Sequence, residues 1–209
     1  MSDPDPVLDG PWDYGAFTLT CSTDPRPDLT DQLWPLYLET FGPLATRAAA
    51  RHVLTREEFA AELEDERVWR YLAVDADGAP AGLTTLTNDL ATMPWISPDF
   101  FAFHFPDEWS RGAVFYAGIS LVRPDFRRHG VYPAMMKGLG ERVAAARGVV
   151  AFDVCEFNDE GHGLPRATDR LLNRVAPFQV RAVDVQRYYV AQHLGEAAGR
   201  VVHEEERGA

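Results

Sequence analysis

The chain has 209 residues, 46% hydrophobic and 25% charged, a balance that suits one soluble globular domain with a substantial core. Its formal charge of −12 comes from 32 acidic and 20 basic side chains, and so acidic a surface repels nucleic-acid phosphates. No stretch approaches the roughly 18 apolar residues of a membrane span, and the two cysteines and six histidines fall in no metal-binding spacing, so neither a nucleic acid, a membrane nor a metal is expected as a partner.

The opening "MSDPDPVLDG" has no basic n-region or apolar h-region, so it is not read as a signal peptide. Residues 1–15 are expected to be an acidic flexible leader on a cytoplasmic protein with reduced thiols. "FTLTCS" (Phe17–Ser22) predicts a first strand. "LTDQLWPLYLETF" (Leu29–Phe41) predicts a helix with Leu33, Leu36, Tyr37 and Phe41 on one face, Pro35 sitting in an early turn or at a kink. A second helix opens at Thr55, where "TREE" makes a capping box with Glu58. Trp69–Thr87 predicts a hairpin turned by Asp77-Gly78.

Ala91–Gly112 is an insertion dense in aromatic rings: Trp95, Phe100, Phe101, Phe103, Phe105 and Trp109. Three readings stand: a lid over an acceptor or acyl pocket, a loop tucking its own rings inward, or a dimer contact. "AVFYAGISLV" (Ala113–Val122) is apolar throughout, as expected of a strand covered on both faces. A helix follows with Val131, Met135, Leu139 and Val143 at four-residue spacing and Gly148 as its left-handed stop. "VVAFDV" (Val149–Val154) closes a parallel strand–helix–strand unit. A short helix near Ala167–Val175 and one or two antiparallel strands over Phe178–Val190 complete a single domain spanning 16–195, with 196–209 a flexible tail. The whole reads as an α/β fold on a mixed sheet.

The junction "RPDFRRHGVYPAMM" (Arg123–Met136) puts three basic residues in a row within an acidic chain. It joins the carboxyl end of a buried strand to a helix N-terminus, the edge where open α/β sheets place ligands. The first helical N–H groups lack intrahelical partners and carry the positive end of the dipole. Gly130 lets the backbone approach an anion closely, and Arg127 and Arg128 add guanidinium donors. A pyrophosphate suits such a turn.

The element order and the string Val122-x-Pro124-x-Phe126-Arg127-x-x-Gly130 resemble the GNAT superfamily of CoA-dependent N-acyltransferases. The resemblance spans residues 16–190 as topology and about a dozen residues as motif. It implies a mixed, mostly antiparallel sheet whose central parallel strands splay and are flanked by helices, with acetyl-CoA or another acyl-CoA as co-substrate and no metal. It implies that Ile119, Ser120, Leu121 and Val122 offer strand-edge contacts to pantetheine. Arg127, with the amides near Arg128, His129, Gly130 and Tyr132, would surround the pyrophosphate. A small-molecule amine is the implied acceptor, and a homodimer is common among relatives. Tyr132 stands where the family carries a small residue, and Asn173 where it often carries an acid tyrosine.

Acyl transfer to an amine needs a base, an oxyanion donor and a proton for the departing thiolate. The resemblance places the oxyanion donor on the backbone near Ile119–Leu121. Glu156, at the end of "DVCE", is the candidate base; Asp153, inside an apolar run, ranks second and reads equally as a buried structural carboxyl. Tyr132 and Tyr189 are the candidate acids, with Tyr188 and His162 behind them. Cys155 has no local base to make it a nucleophile. The sequence holds no Gly-x-x-x-x-Gly-Lys or His-Glu-x-x-His motif, and Ser120 lacks the second glycine of a nucleophile elbow. The expected activity is N-acetyl transfer from acetyl-CoA to a small amine. The alternatives are an acyl-carrier-dependent enzyme resembling an N-acyl amino acid or homoserine lactone synthase, and a catalytically silent ligand-binding module of the same shape.

Overall fold

The computed structural model describes residues 8–50 and 53–195. Six strands form one sheet in chain order. β1 (Trp12–Asp13), β2 (Thr18–Ser22), β3 (Val68–Val74), β4 (Pro80–Thr87) and β5 (Val114–Val122) are successively antiparallel, and β6 (Val149–Ala151) joins β5 in parallel. Between and after them run α1 (Asp28–Phe41), α2 (Arg56–Glu64), α3 (Pro98–His104), α4 (Pro106–Ser110), α5 (Val131–Ala145), α6 (Glu156–Asp159) and α7 (Leu164–Leu172). This mixed, mostly antiparallel sheet flanked by helices is the architecture that the GNAT resemblance implies. No helix among the described residues is long and apolar enough to cross a membrane.

Strand alternation divides the core between two faces. On one, Val131, Met135, Leu139 and Val143 of α5 pack on Leu19, Tyr71 and Phe115, with Leu172 of α7 beside them. On the other, Leu29, Leu33 and Tyr37 of α1 and Phe59 and Leu63 of α2 cover Leu72, Leu83, Ile119 and Leu121. Each fully buried side chain of this kind contributes roughly 1.5–3 kcal/mol. Pro35 lies on the exposed side of α1. Thr55 and Glu58 form the expected capping box on α2. The β3–β4 hairpin turns through Gly78, whose φ is +79°.

Four expectations need correction. Part of the leader is tied down: Trp12 and Asp13 pair with β2, and Arg142 donates to the Leu8 carbonyl at 3.0 Å and to the Asp9 carboxylate. Residues 1–7 and 196–209 lie outside the described chain. The left-handed residue ending α5 is Arg147, with φ +47°, rather than Gly148. Arg147 N–H donates to the Ala144 carbonyl and Gly148 N–H to that of Val143, which is the Schellman pattern.

β6 is shorter than the apolar run "VVAFDV", because β5 and β6 stay in register only from Val114↔Val149 to Tyr116↔Ala151. Finally, Phe178–Val190 forms no strand. Phe178 and Val180 pack on the α5 cluster, but Tyr189 and Val190 are 86% and 92% exposed. β-propensity expresses fit to a neighbouring strand, and this segment has none beside it.

Candidate active site

β5 is paired on both sides only at Tyr116, which faces Thr87 of β4 and Ala151 of β6. Beyond Tyr116 its β6 side has no strand against it among the described residues, so the parallel pair opens into a wedge. Arg123 N–H bonds the Ala81 carbonyl on β4, and alternation then turns Leu121 toward β4 and the peptide groups of Ser120 and Val122 toward the wedge. Ile119 faces β4 as well: its amide donates to Thr85 Oγ1 at 2.8 Å, and its carbonyl accepts from Thr84 Oγ1 at 3.0 Å. Of the four residues expected along the strand edge, Ser120 and Val122 therefore present backbone to the opening.

At the far end of that edge lies the basic turn. Arg123 anchors it, donating to Asp75 and Asp125 at 2.8 Å each and to the Pro80 carbonyl at 3.1 Å, with its guanidinium over the Phe126 ring. These contacts bind the turn to the β3–β4 hairpin. Arg127, Arg128 and His129 are exposed, and no side-chain hydrogen bond or ion pair engages either arginine among the described residues. The His129 amide, expected to face an anion, instead donates to the Phe126 carbonyl at 3.0 Å, and the Arg127 amide reaches Pro124. The amides of Arg128, Gly130, Val131 and Tyr132 have no partner among the described residues. Gly130 holds φ +82°, and a Cβ built on it meets nothing within 4 Å. Backbone conformation demands the glycine, while the space before it stays open. Four amides and two guanidinium groups unpartnered among the described residues, at a helix N-terminus, make a fit for a polyphosphate.

The phenol of Tyr132 does not plug this turn. Its ring packs on the α5 cluster, and its hydroxyl meets Thr168 Oγ1 of α7 at 3.4 Å; burial raises its pKa. The other expected proton carriers are scattered. Tyr189 lies in the exposed segment, and Tyr188 with it. Asn173 closes the end of α7, donating to the Asp169 carbonyl at 2.9 Å and accepting from the Phe178 amide at 3.1 Å. His162 sits edge-on to Phe157. Glu156 is the first residue of α6, exposed, after the chain has left β6. Asp153 is exposed rather than buried, and accepts a hydrogen bond from the Tyr116 hydroxyl.

A carboxyl that sequence reasoning missed lies against β5 two residues beyond Tyr116. The β4–β5 register slips between Thr84 and Leu86, bulging β5 at Gly118 and Ile119. Glu62 of α2 reaches this bulge: its Oε1 accepts from Thr85 Oγ1 at 2.5 Å. A Cβ at Gly118 would stand only 2.8 Å from Glu62 Oε1 and 2.7 Å from Thr85 Oγ1, so only glycine lets the carboxyl approach the strand. Burial raises the Glu62 pKa, against the lowering effect of Thr85, the Ile119 amide and the Arg70 charge. A signal was present, because Glu62 falls three residues after Phe59 and one before Leu63, on the buried side of α2.

A cavity of about 170 Å³ opens beside Glu62, lined also by Val68, Thr92, Pro94 and Trp95. Trp95 donates to the Tyr116 hydroxyl at 3.3 Å, fixing one wall. The aromatic insertion is thus partly a wall and partly self-packed: Phe101 is buried, Phe100 and Phe105 pack with Met93 and Val114, and Phe103 is 80% exposed.

No family model matches the chain, and no curated protein is similar to it in sequence. Several solved N-acetyltransferase structures are similar to it in fold. An aminoglycoside acetyltransferase from an uncultured soil metagenomic sample, in complex with sisomicin, aligns over 84% of this chain and 97% of that one, at TM-score 0.48 and 12% identity. A ribosomal-protein-alanine N-acetyltransferase from Brucella melitensis aligns over 83% and 100%, at 0.47 and 14%. An aminoglycoside 6'-N-acetyltransferase from Acinetobacter baumannii aligns over 84% and 99%, at 0.47 and 10%. Likeness at this level says nothing of substrate.

Proposed function

We propose that the protein transfers an acyl group from acyl-CoA to the amine of a small molecule. The observation that carries this reading is a strand edge with no strand against it from Ala117 to Val122, followed in the chain by a turn whose four amides and two arginines have no partner among the described residues. Acyl-CoA is a co-substrate here and supplies the activated thioester. Ser120 and Val122 would hold its amide-bearing arm, and the amides of Arg128, Gly130, Val131 and Tyr132, with Arg127 and Arg128, its pyrophosphate. The outward amide of Ser120 is the natural oxyanion donor, fixed before reaction as such donors must be. Glu156, exposed at the start of α6, is the base that the sequence alone offers.

A second reading has its own support. Asn173 and Tyr189 lie where neither gives a proton to the wedge, and Tyr132 faces α7, which favours a silent binding module. One experiment separates the two. Thermal shift and calorimetry with acetyl-CoA, a longer acyl-CoA and free CoA should show saturable stabilisation by all three, following mass action. Release of free CoA thiol on a panel of primary amines should accompany it. Binding without turnover supports the module. Absence of stabilisation by any of the three ends the acyltransferase reading.

A further inference from the structure

We propose that Glu62 is the general base of this site, that Thr85 positions it, and that the cavity beside it admits a small primary alkylammonium. The inference rests on the acyl-CoA reading above and deepens it. The geometry is a short chain of donors across the sheet. The Ile119 amide donates to Thr85 Oγ1 at 2.8 Å, and that hydroxyl has its own proton left to give to Glu62 Oε1 at 2.5 Å. Thr85 is fully buried, so its hydroxyl cannot turn to water. The carboxyl is therefore held in one orientation over the bulge.

The bulge is also where the wedge begins. Tyr116 is the last residue of β5 with a β6 partner, and Gly118 lies two residues further on. The carboxyl thus stands where the acyl end of a chain laid along Ser120 and Val122 would finish. An amine arriving through the cavity meets Glu62 from the α2 side, between Trp95 and Val68. At about 170 Å³ the cavity is below the usual range for drug-sized ligands, which limits the acceptor to a small body. Glu58 and Asp65 also line it, but Glu58 is held in the α2 cap and Asp65 by Arg67. Glu62 is the carboxyl left to meet the ammonium.

The step balances as follows. Glu62 carboxylate takes one proton from the ammonium. The freed amine nitrogen bonds to the acyl carbon, the carbon–sulfur bond breaks, and the second nitrogen proton passes to the departing sulfur as CoA thiol. The product is the amide, with Glu62 protonated. Burial favours the proton-bearing form of Glu62, which brings a carboxyl toward the range a base needs near neutrality. The groups facing it are Asp65 at the end of its own helix, Arg70 from β3, Thr85 from β4 and Tyr116 from β5.

The test uses the full chain, acetyl-CoA and the same panel of primary amines. Glu62→Gln should cut turnover by about 100-fold or more while free CoA still stabilises the protein as it does the wild type. Thr85→Val should move the acid limb of the kcat/KM pH profile upward, because a hydrogen bond to the charged form is lost. Thr85→Ser should restore it. A merely structural threonine would change the melting temperature and leave that limb in place. Full turnover by Glu62→Gln with CoA bound overturns the base and leaves the CoA site standing, as does a wild type that binds CoA but acylates nothing on the panel. A wild type that binds no CoA overturns both.

Discussion

Two charged regions, one against β5 and one just beyond it, sit in opposite surroundings. At the β5–α5 turn, Arg127 and Arg128 are exposed and no side-chain bond holds them among the described residues; water carries most of the cost of their charge, and a polyphosphate can take them over without breaking anything in the described fold. At the β5 bulge, Glu62 is pressed between α2 and the sheet, and burial works against its ionised form. Exposed charge of the first kind serves affinity and on-rate, and is screened by salt. Buried charge of the second kind is poor for stability but suited to moving a proton. Arg123 shows that the turn itself distinguishes the two uses: held by Asp75 and Asp125, it is part of the scaffold.

The sharpest way to break that comparison is to exchange the roles of the arginines. Replacing Arg127 and Arg128 together by Ala should weaken CoA binding by about 10- to 100-fold, at roughly 1.5–3 kcal/mol for hydrogen bonds to charged groups reduced by exposure. The melting temperature of the ligand-free protein should not move. Arg123→Ala should do the reverse, lowering the melting temperature by a few degrees, with CoA affinity falling only as the turn loosens. If both variants lose affinity and stability alike, the division of labour is wrong. Calorimetry at two salt concentrations adds a check, since the double variant should lose most of the salt dependence.

Gly130→Ala comes next in size. A left-handed residue with a Cβ costs about 1–2 kcal/mol, and the added methyl enters open space where an anion would stand. CoA affinity should drop by about tenfold, with a modest loss of stability. Unchanged affinity would mean that the anion, if one binds, sits elsewhere on the turn.

Local chemistry made the turn readable and tertiary packing hid the bulge. A strand, a run of basic residues, one glycine and a helix of four-residue apolar spacing lie within a single short segment, so the strand–turn–helix they form was visible in the string. The same holds for the Thr55–Glu58 cap and the Asp77-Gly78 hairpin, each complete within a few residues. The Glu62 site is assembled from α2, β4 and β5, and in "REEFAAELEDE" a glutamate stands among other acids with nothing but its phase relative to Phe59 and Leu63 to mark it. The bulge that admits its carboxyl depends on a register slip no single strand announces. Apolarity misled where it reported burial rather than pairing: Phe152 and Val154 look like strand residues, yet β6 ends at Ala151. At Phe178–Val190 it promised a strand for which the sheet offers no partner.

The smallest of the effects tests the buried end directly, without any ligand. Because the Glu62 pKa is raised in the native state, the folded protein binds more protons than the unfolded chain over a window that starts near the ordinary glutamate value of 4.5 and extends upward. Stability from this group is therefore present below that window and is lost as pH rises through it. Glu62→Gln keeps an oxygen to accept the Thr85 hydroxyl and removes the titration. The variant should melt at nearly the same temperature as the wild type below the window and a few degrees higher above it, the gap widening with pH until the wild-type carboxyl is fully ionised. A stability gain bought with lost turnover is the usual signature of a strained functional group. A gap that stays constant with pH would show that Glu62 does not titrate in that window, and would place it with Arg123 as scaffold rather than with the reacting groups.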